Sequence, residues 1–216
     1  MSSESGHQKD LVLLVPDCNY EKGLNELLQR SESLGIRPIS FGIYVHMHRD
    51  PGCLLEAHEF LRALAHEFHY ALVLFDRDGC GHSGQRDAIQ REVQTRLSRA
   101  GWSDRSDVLV TDPELDAWVW SDSPNVDRAL GWGPDRPPLR DWLRQRGLLD
   151  PDGIKPRRPK EAMEQALRAA GRPRSASIYA QLGKRVGVNR CTDATFAELR
   201  QVLQRWFPPS PGHVGL

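Results

Sequence analysis

The sequence has few cysteines, and none of them form the Cys-x-x-Cys pairs typical of zinc-binding loops. Cys18, Cys53, Cys80 and Cys191 are scattered along the 216 residues. The polar segment 1–10 lacks the pattern of a secretory signal. This cysteine usage predicts a cytoplasmic protein with reduced thiols, not a secreted protein stabilised by disulfides.

A net charge and long apolar runs are also missing. Lys plus Arg and Asp plus Glu both number 29, so no overall field indicates binding to nucleic acid or to a membrane. No apolar run approaches the roughly 20 residues that a membrane helix needs, so we expect no membrane contact.

The charges are nevertheless unevenly distributed. Acidic residues concentrate within 104–127 and basic residues within 136–190. The basic residues of interest are Lys155, Arg157, Arg158, Lys160, Arg172, Arg174, Lys184, Arg185 and Arg190. They either contact the phosphates of a nucleic acid or occupy solvated helix faces.

Four short apolar runs predict the strands of a parallel sheet. They occupy residues 11–15, 37–45, 70–75 and 108–110. The segments between them predict helices, one starting near Glu21 and two others at 54–68 and 84–100. Connections of this length suit right-handed crossovers. We therefore expect an α/β core over residues 10–125, a parallel sheet built from βαβ units with helices on both faces.

The remaining parts of the chain have different patterns. Residues 1–9 are expected to form a flexible N-terminus, and residues 208–216 a frayed tail. Residues 126–207 predict a helical C-terminal extension packed on the core. Its predicted helices span residues 139–148, 159–170, 177–186 and 195–206.

Acidic side chains follow three of the four predicted strands. They are Asp17, then Asp76 and Asp78, then Asp112, Glu114 and Asp116. Ligands of open α/β sheets bind at the carboxyl ends of the strands, and carboxylate oxygens suit Mg²⁺ or Mn²⁺. This predicts a metal site of Asp76, Asp78 and Glu114, with Asp17 nearby. The alternatives are a solvated turn at Asp76-x-Asp78 and a helix cap at Asp112 or Glu114.

The turns after the second and third strands carry histidine and arginine side chains that could line the same edge of the sheet. His46, His48 and Arg49 follow the second strand, and His82 lies in the glycine-rich turn after the third. We expect these four residues to bind substrate, with Arg49 near a phosphate. A zinc site of His46, His48 and a cysteine of either turn remains an alternative, although the spacing matches no established zinc pattern.

Several of these segments together resemble the Toprim fold of topoisomerases, primases and overcoming-lysogenization-defect nucleases. The segments are Leu-Phe-Asp-Arg-Asp-Gly at 74–79 and Pro-Glu-Leu-Asp-Ala-Trp at 113–118. His-Arg-Asp-Pro-Gly-Cys at 48–53, together with Asp-x-x-Gly-Cys-Gly at 76–81, is similar to Toprim-like bacterial proteins encoded in anti-phage loci, including methylation-associated defence systems. The resemblance covers roughly residues 10–125.

The resemblance implies a component of a bacterial anti-phage defence system, with nucleic acid and other defence proteins as partners. Asp76 and Asp78, with Glu114, would bind Mg²⁺ or Mn²⁺. Asp17 or Glu21 would move protons during cleavage of a phosphodiester.

One position departs from the Toprim pattern, in which a glutamate follows the first strand. Here Pro16 and Asp17 stand at that place. The departure leaves a second interpretation open, a non-catalytic binding or scaffold subunit with a degenerate site. A weaker third interpretation is a small-molecule phosphohydrolase with Asp76 as nucleophile. The haloacid dehalogenase class, which uses that chemistry, has its Asp-x-Asp after the first strand.

Overall fold

The computed structural model describes residues 9–209 as an α/β structure with one four-stranded parallel sheet. The strands are β1 (Lys9–Val15), β2 (Phe41–Val45), β3 (Phe68–Asp76) and β4 (Ser106–Thr111). They lie in the order β2-β1-β3-β4. The predicted parallel α/β core is confirmed at this level. The predicted flexible N-terminus lies outside the described residues except for Lys9, and only residues 208 and 209 of the predicted tail are described.

Helices form every connection between the strands. From β1 to β2 the chain forms α1 (Cys18–Leu28) and α2 (Ser31–Leu34); from β2 to β3 it forms α3 (Arg49–Leu55) and α4 (Ala57–Arg62). From β3 to β4 it forms α5 (Arg86–Leu97) and a π-helical turn (Ser98–Trp102). After β4 come α6 (Asp116–Val119), α7 (Pro124–Leu130), α8 (Leu139–Gln145), α9 (Pro159–Ala169), α10 (Ala176–Arg185), a 3₁₀ turn (Val188–Arg190) and α11 (Ala194–Trp206).

Both faces of the sheet are buried. On β1, Leu11 and Leu13 pack into one apolar cluster with α1 and the C-terminal helices. Val12 and Leu14 face the opposite cluster, which includes α3, α4 and α5. Because alternate side chains of a strand point to opposite faces, a strand covered on both sides reads as a continuous apolar run.

The C-terminal helices share an apolar core with the sheet. Side chains of α8 to α11, such as Met163 and Leu203, belong to the same cluster as Leu11. Helix α10 lies directly against α1, and a Cβ atom placed on Gly183 would be only 2.3 Å from the carbonyl oxygen of Gly23. Only glycine permits this close approach of the two helix backbones.

The outer edge of β4 is covered by side chains. Gln94 of α5 donates to the carbonyl oxygen of Ser106 (3.2 Å), and Thr195 of α11 donates to that of Val110 (3.3 Å). The N–H group of Val108, between these two, donates to the carboxylate of Asp107 (2.9 Å). These three positions are two residues apart, so they point to the same, unpaired side of the strand.

Two predicted elements have boundaries that are wrong by four residues or more. The predicted helix at 54–68 is replaced by α3, which begins at Arg49, and by α4, which ends at Arg62, while Phe68 already belongs to β3. Leu55, at the end of α3, is exposed. The predicted strand at 37–45 begins only at Phe41, since Pro38 has no N–H group for a ladder.

Candidate functional site

The strand order changes direction between β1 and β3, and at the carboxyl edge of a doubly wound sheet this is where a crevice is expected. From β1 the chain crosses to β2 on one side, and from β3 it crosses to β4 on the other. The loops after β1 and β3 therefore diverge, and ligands of doubly wound sheets bind at such a switch point. Asp17 follows β1 and Asp76 ends β3, so these two residues flank the crevice.

Asp76 is held by hydrogen bonds to one of its two carboxylate oxygens. Its Oδ1 accepts hydrogen bonds from the Tyr20 hydroxyl, from Thr111 Oγ1 (2.6 Å) and from the Leu115 N–H group (2.8 Å). Within residues 9–209 no hydrogen bond reaches its Oδ2, and this atom is not sealed from solvent. One oxygen of Asp76 thus fixes the side chain, and the other is free to bind a ligand.

Burial raises the pKa of Asp76 to about 7, even though the hydrogen bonds from Thr111 and Tyr20 oppose the shift. The nearby carboxylate of Asp50 raises the pKa further. The ionised form of Asp76 is therefore unfavourable unless positive charge enters the crevice.

Asp50, on the first turn of α3, is a site residue that the sequence interpretation missed. Its Oδ1 accepts a hydrogen bond from the N–H group of Asp76 (2.8 Å). Burial raises its pKa, and the charge of Asp17 adds to the shift. A Cβ atom on Gly79 would lie 2.6 Å from Asp50 Oδ2, so this loop approaches Asp50 closely only because residue 79 is glycine. The signal was present, since Asp50 follows β2 as Asp17 follows β1.

The two residues predicted to move protons have other contacts. Asp17 is the N-cap of α1, and its Oδ1 accepts hydrogen bonds from the N–H groups of Asn19 (2.8 Å) and Tyr20 (3.1 Å). Its Oδ2 accepts a further bond from the Asn19 side chain (3.1 Å). Glu21 lies 3.4 Å from the ammonium group of Lys22. Helix capping thus already occupies both oxygens of Asp17.

The predicted metal ligands do not assemble into one cluster. Asp78 is exposed, whereas Glu114 accepts a hydrogen bond from the N–H group of Lys160 at the start of α9 (3.1 Å). Burial raises the pKa of Glu114, and the charge of Asp116 contributes. In the described chain, no three ligand atoms that include those of Asp76, Asp78 or Glu114 lie within 4.8 Å of one another. Asp76 thus lies in the crevice, while Glu114 faces the C-terminal helices.

The helix-cap alternative for the segment after β4 is wrong. Asp112 forms a salt bridge with Arg77 (3.2 Å). Helix α6 begins only at Asp116, and no side chain caps it. A side-chain cap is instead found at α11, where Asp193 accepts hydrogen bonds from the N–H groups of Thr195 and Phe196.

The turn after β2 brings two imidazoles and one carboxylate together. His46 is buried, and its Nε2 lies 3.6 Å from Oε2 of Glu56. His48 Nδ1 lies 3.0 Å from the same oxygen. One ligand atom from each of these three residues lies within 4.8 Å of the other two. Burial lowers the pKa of His46. The sequence interpretation missed Glu56, which lies eight residues after His48 with no local pattern joining them.

The cysteines of the predicted zinc alternative are not part of this histidine cluster. Cys53 is completely buried, and burial, together with the charges of Asp50 and Asp17, raises the pKa of its thiol. The Cys80 thiol donates to the carbonyl oxygen of Arg77 (3.1 Å). A carboxylate, not a thiol, therefore completes the set with the two histidines.

The other two residues predicted to bind substrate lie in the same pair of turns. Arg49 is exposed and has a positive φ of 52°, an uncommon conformation for a residue with a side chain. His82 Nδ1 accepts a hydrogen bond from the Gly84 N–H group (2.9 Å), and its Nε2 lies 3.6 Å from Glu92. Their role in binding substrate stays a prediction.

Several of the basic residues in the last third already have acidic partners. Salt bridges join Lys155 to Asp193 (3.1 Å), Arg157 to Asp150 (2.9 Å), Arg158 to Glu161 (3.2 Å) and Arg174 to Asp116 (2.8 Å). These contacts favour the interpretation that the basic residues lie on structural helix faces.

Fold and site together define an α/β protein with a doubly wound parallel sheet and an acidic crevice at its switch point. Comparison with known proteins finds no matching protein-family model, no matching curated protein and no matching solved structure. Among the helices of residues 9–209, none combines the length and the apolar character needed to cross a membrane.

Proposed function

We propose that this chain is a Toprim-like component of bacterial anti-phage defence that binds Mg²⁺ or Mn²⁺ at the switch-point crevice and acts on phosphodiesters of nucleic acid. The observation that carries the proposal is the gathering of Asp17, Asp50 and Asp76 from three separate elements at this crevice. The role in defence is supported only by the sequence resemblance over residues 10–125.

The chemistry of the crevice fits a hard divalent cation. Asp76 Oδ2 is free, Asp50 lies beside Asp76, and Asp78 is exposed two residues further along the loop. The donors are all carboxylate oxygens, as Mg²⁺ and Mn²⁺ prefer. The raised pKa values of Asp50 and Asp76 support the same assignment, because both are raised mainly by burial and a bound cation would stabilise the buried ionised forms.

When bound, such an ion would polarise a phosphoryl oxygen and lower the pKa of a coordinated water molecule. The side chains of the protein supply positioning and proton transfer. Tyr20 and Thr111 fix the orientation of Asp76 through its Oδ1. Asp50 has a raised pKa and lies against the backbone of Asp76, so we assign it the role of general acid or base in place of Asp17 or Glu21.

Titration calorimetry with Mg²⁺ and Mn²⁺ tests the metal site. We expect saturable binding to the wild type and at least about tenfold weaker binding to Asp76→Asn, since the substitution removes one ionised oxygen ligand. Asp152→Asn is a matched control, because Asp152 is exposed and lies in a loop near the C-terminal helices. Equal affinities of the wild type and Asp76→Asn would rule out a metal site at Asp76.

Incubation with supercoiled plasmid and Mn²⁺ tests the chemistry. Nicking by the wild type that is lost in both Asp76→Asn and Asp50→Asn supports a nuclease. Turnover of p-nitrophenyl phosphate without nicking would instead favour the small-molecule phosphohydrolase.

A second candidate function is a non-catalytic subunit that binds nucleic acid or partner proteins through the same crevice. Its specific support is Asp17, which caps α1 where Toprim enzymes carry a glutamate. For this function we expect metal binding and a gel-shift complex with DNA, but no nicking at any metal concentration.

A further inference from the structure

We infer that His46, His48 and Glu56 form a second metal site, specific for a borderline transition-metal ion such as Zn²⁺ and separate from the carboxylate crevice. Two imidazole nitrogens and one carboxylate are ligands that suit Zn²⁺, whereas Mg²⁺ and Ca²⁺ favour oxygen ligands. Three protein ligands also leave a fourth position open to water or to a ligand.

The local backbone builds this arrangement from a tight turn and a short helix. The N–H group of Arg49 donates to the carbonyl oxygen of His46 (3.0 Å), which closes the turn and brings the two imidazole ring centres to 5.6 Å. At the other end of α3, the N–H group of Glu56 donates to the carbonyl oxygen of Gly52 (2.8 Å). Helix α3 thus places the Glu56 carboxylate between the two rings.

His46 is the most constrained of the three ligands. Only 5% of its surface is exposed. A Cβ atom on Gly52 would lie 2.0 Å from its Nδ1, so the ring fits against α3 only because residue 52 is glycine. Its Nε2 points towards Glu56 at 3.6 Å, beyond hydrogen-bond distance. The observation that favours a ligand here over a simple surface ion pair is that His46 is a buried residue whose Nε2 is directed at a carboxylate without a hydrogen bond.

Metal binding has one local consequence in this geometry. His46 Nδ1 accepts a hydrogen bond from the N–H group of His48 (3.1 Å), so the neutral ring carries its proton on Nε2. When Nε2 becomes the ligand, the proton moves to Nδ1, and the hydrogen bond from the His48 N–H group is broken. Metal binding therefore changes the tautomer of the His46 ring, and the ¹⁵N chemical shifts of its two nitrogens report this change.

The experiment is a competition titration of Zn²⁺ against a chromophoric chelator, using the metal-free full-length chain. We expect the wild type to bind one equivalent of Zn²⁺ in the presence of millimolar Mg²⁺. His48→Ala and Glu56→Gln each weaken binding at least about tenfold. Both side chains are partly exposed, at 58% and 44%, so neither substitution disturbs the core. Circular dichroism of the metal-free variants checks their folding.

Two matched variants separate this site from other possibilities. His66→Ala removes an exposed histidine outside the cluster and should bind Zn²⁺ as the wild type does. Asp76→Asn, which tests the carboxylate crevice, should also leave Zn²⁺ binding unchanged. Failure of the wild type to bind Zn²⁺ would overturn the inference, and so would a loss of affinity in Asp76→Asn with none in His48→Ala. The inference and the proposed function can therefore fail independently.

Discussion

The carboxyl group of Asp76 is both held by hydrogen bonds and shifted in its pKa. Three hydrogen bonds hold its Oδ1, yet burial and Asp50 raise its pKa to about 7, above the ordinary value of 3.8. Between these two pH values the folded state holds a proton that the unfolded state releases. By linkage, this group then lowers the free energy of unfolding as the pH rises through that window.

A pH series of urea denaturation in EDTA tests this linkage. We expect the free energy of unfolding of Asp76→Asn, relative to the wild type, to increase by about 2 kcal/mol between pH 5 and 7.5, because asparagine does not titrate. Asp152→Asn, at an exposed site, should show no such trend. A constant difference between Asp76→Asn and the wild type would mean that Asp76 has an ordinary pKa.

Asp116 is a buried carboxylate outside the crevice, and its partners suggest a structural role. It forms a salt bridge with Arg174 (2.8 Å) and accepts a hydrogen bond from the Tyr179 hydroxyl (2.7 Å). Burial raises the pKa of Tyr179, and the charge of Asp116 contributes. The network joins α6 to α10 and to the loop before it.

Asp116→Ala should lower the free energy of unfolding by about 2 kcal/mol or more, because it leaves Arg174 and Tyr179 partly buried without their acceptor. Asp141→Ala is the control, since Asp141 pairs with Arg144 on an exposed helix surface and should matter by less than about 0.5 kcal/mol. Urea denaturation at neutral pH measures both. Equal effects would contradict a structural role for the network.

At the scale of single residues, the sequence predicted the location of a site residue where that residue directly follows a strand. Asp76 follows an apolar run, and a parallel sheet fixes where such a residue lies. Asp50 and Glu56 were missed because their roles depend on the path of α3, which brings both side chains back towards the end of the sheet. Glu114 was misplaced for the same reason, since C-terminal helices far away in sequence determine its surroundings.

At the scale of elements, the contact between α1 and α10 depends on two glycines with unequal roles. A Cβ atom on Gly183 would lie 2.3 Å from the carbonyl oxygen of Gly23. A Cβ atom on Gly23 would make ordinary contact with Tyr179, at 3.5 Å. The same substitution at the two positions therefore has different steric consequences.

Gly183→Ala should destabilise the protein by about 2 kcal/mol, because the new methyl group forces the two helices apart. Gly23→Ala should be neutral or stabilising by up to about 1 kcal/mol, since alanine favours a helix interior over glycine. Chemical denaturation compares the two variants directly. A stable Gly183→Ala variant would show that the helices are less closely packed than described.

Most of the predicted elements were found because their apolar patterns are strong. Helices α9, α10 and α11 begin and end within one residue of the predicted 159–170, 177–186 and 195–206. The prediction of one helix over residues 54–68 was wrong because the apolar spacing continues through a turn into β3. Amphipathic spacing alone does not show that α4 ends at Arg62, before strand pairing with β1 begins at Phe68.

At the scale of the whole molecule, the C-terminal helices cover one face of the sheet. The apolar cluster that contains Leu11, Leu13 and Val15 also contains side chains from α8 to α11. Removing these helices would expose α1 and this face of the sheet to solvent. The resemblance over residues 10–125 thus covers a part of the chain whose core is completed by later residues.

A fragment ending at residue 125 should therefore not unfold cooperatively, and it should bind a hydrophobic dye. The full-length chain should unfold in one transition, with coincident curves from circular dichroism and tryptophan fluorescence. Cooperative unfolding of the fragment would contradict this expectation and would show that the core is independently stable.

Because the edge of β4 is covered, the two edges of the sheet differ in their ability to pair with a further strand. Gln94, Asp107 and Thr195 already occupy three of the outward-facing backbone groups of Ser106, Val108 and Val110, so a further strand would have to displace these side chains to pair on that side. At the opposite end, β2 pairs only with β1 within residues 9–209. We therefore expect an extended peptide from a partner to lengthen the sheet beside β2, next to the histidine cluster, rather than beside β4.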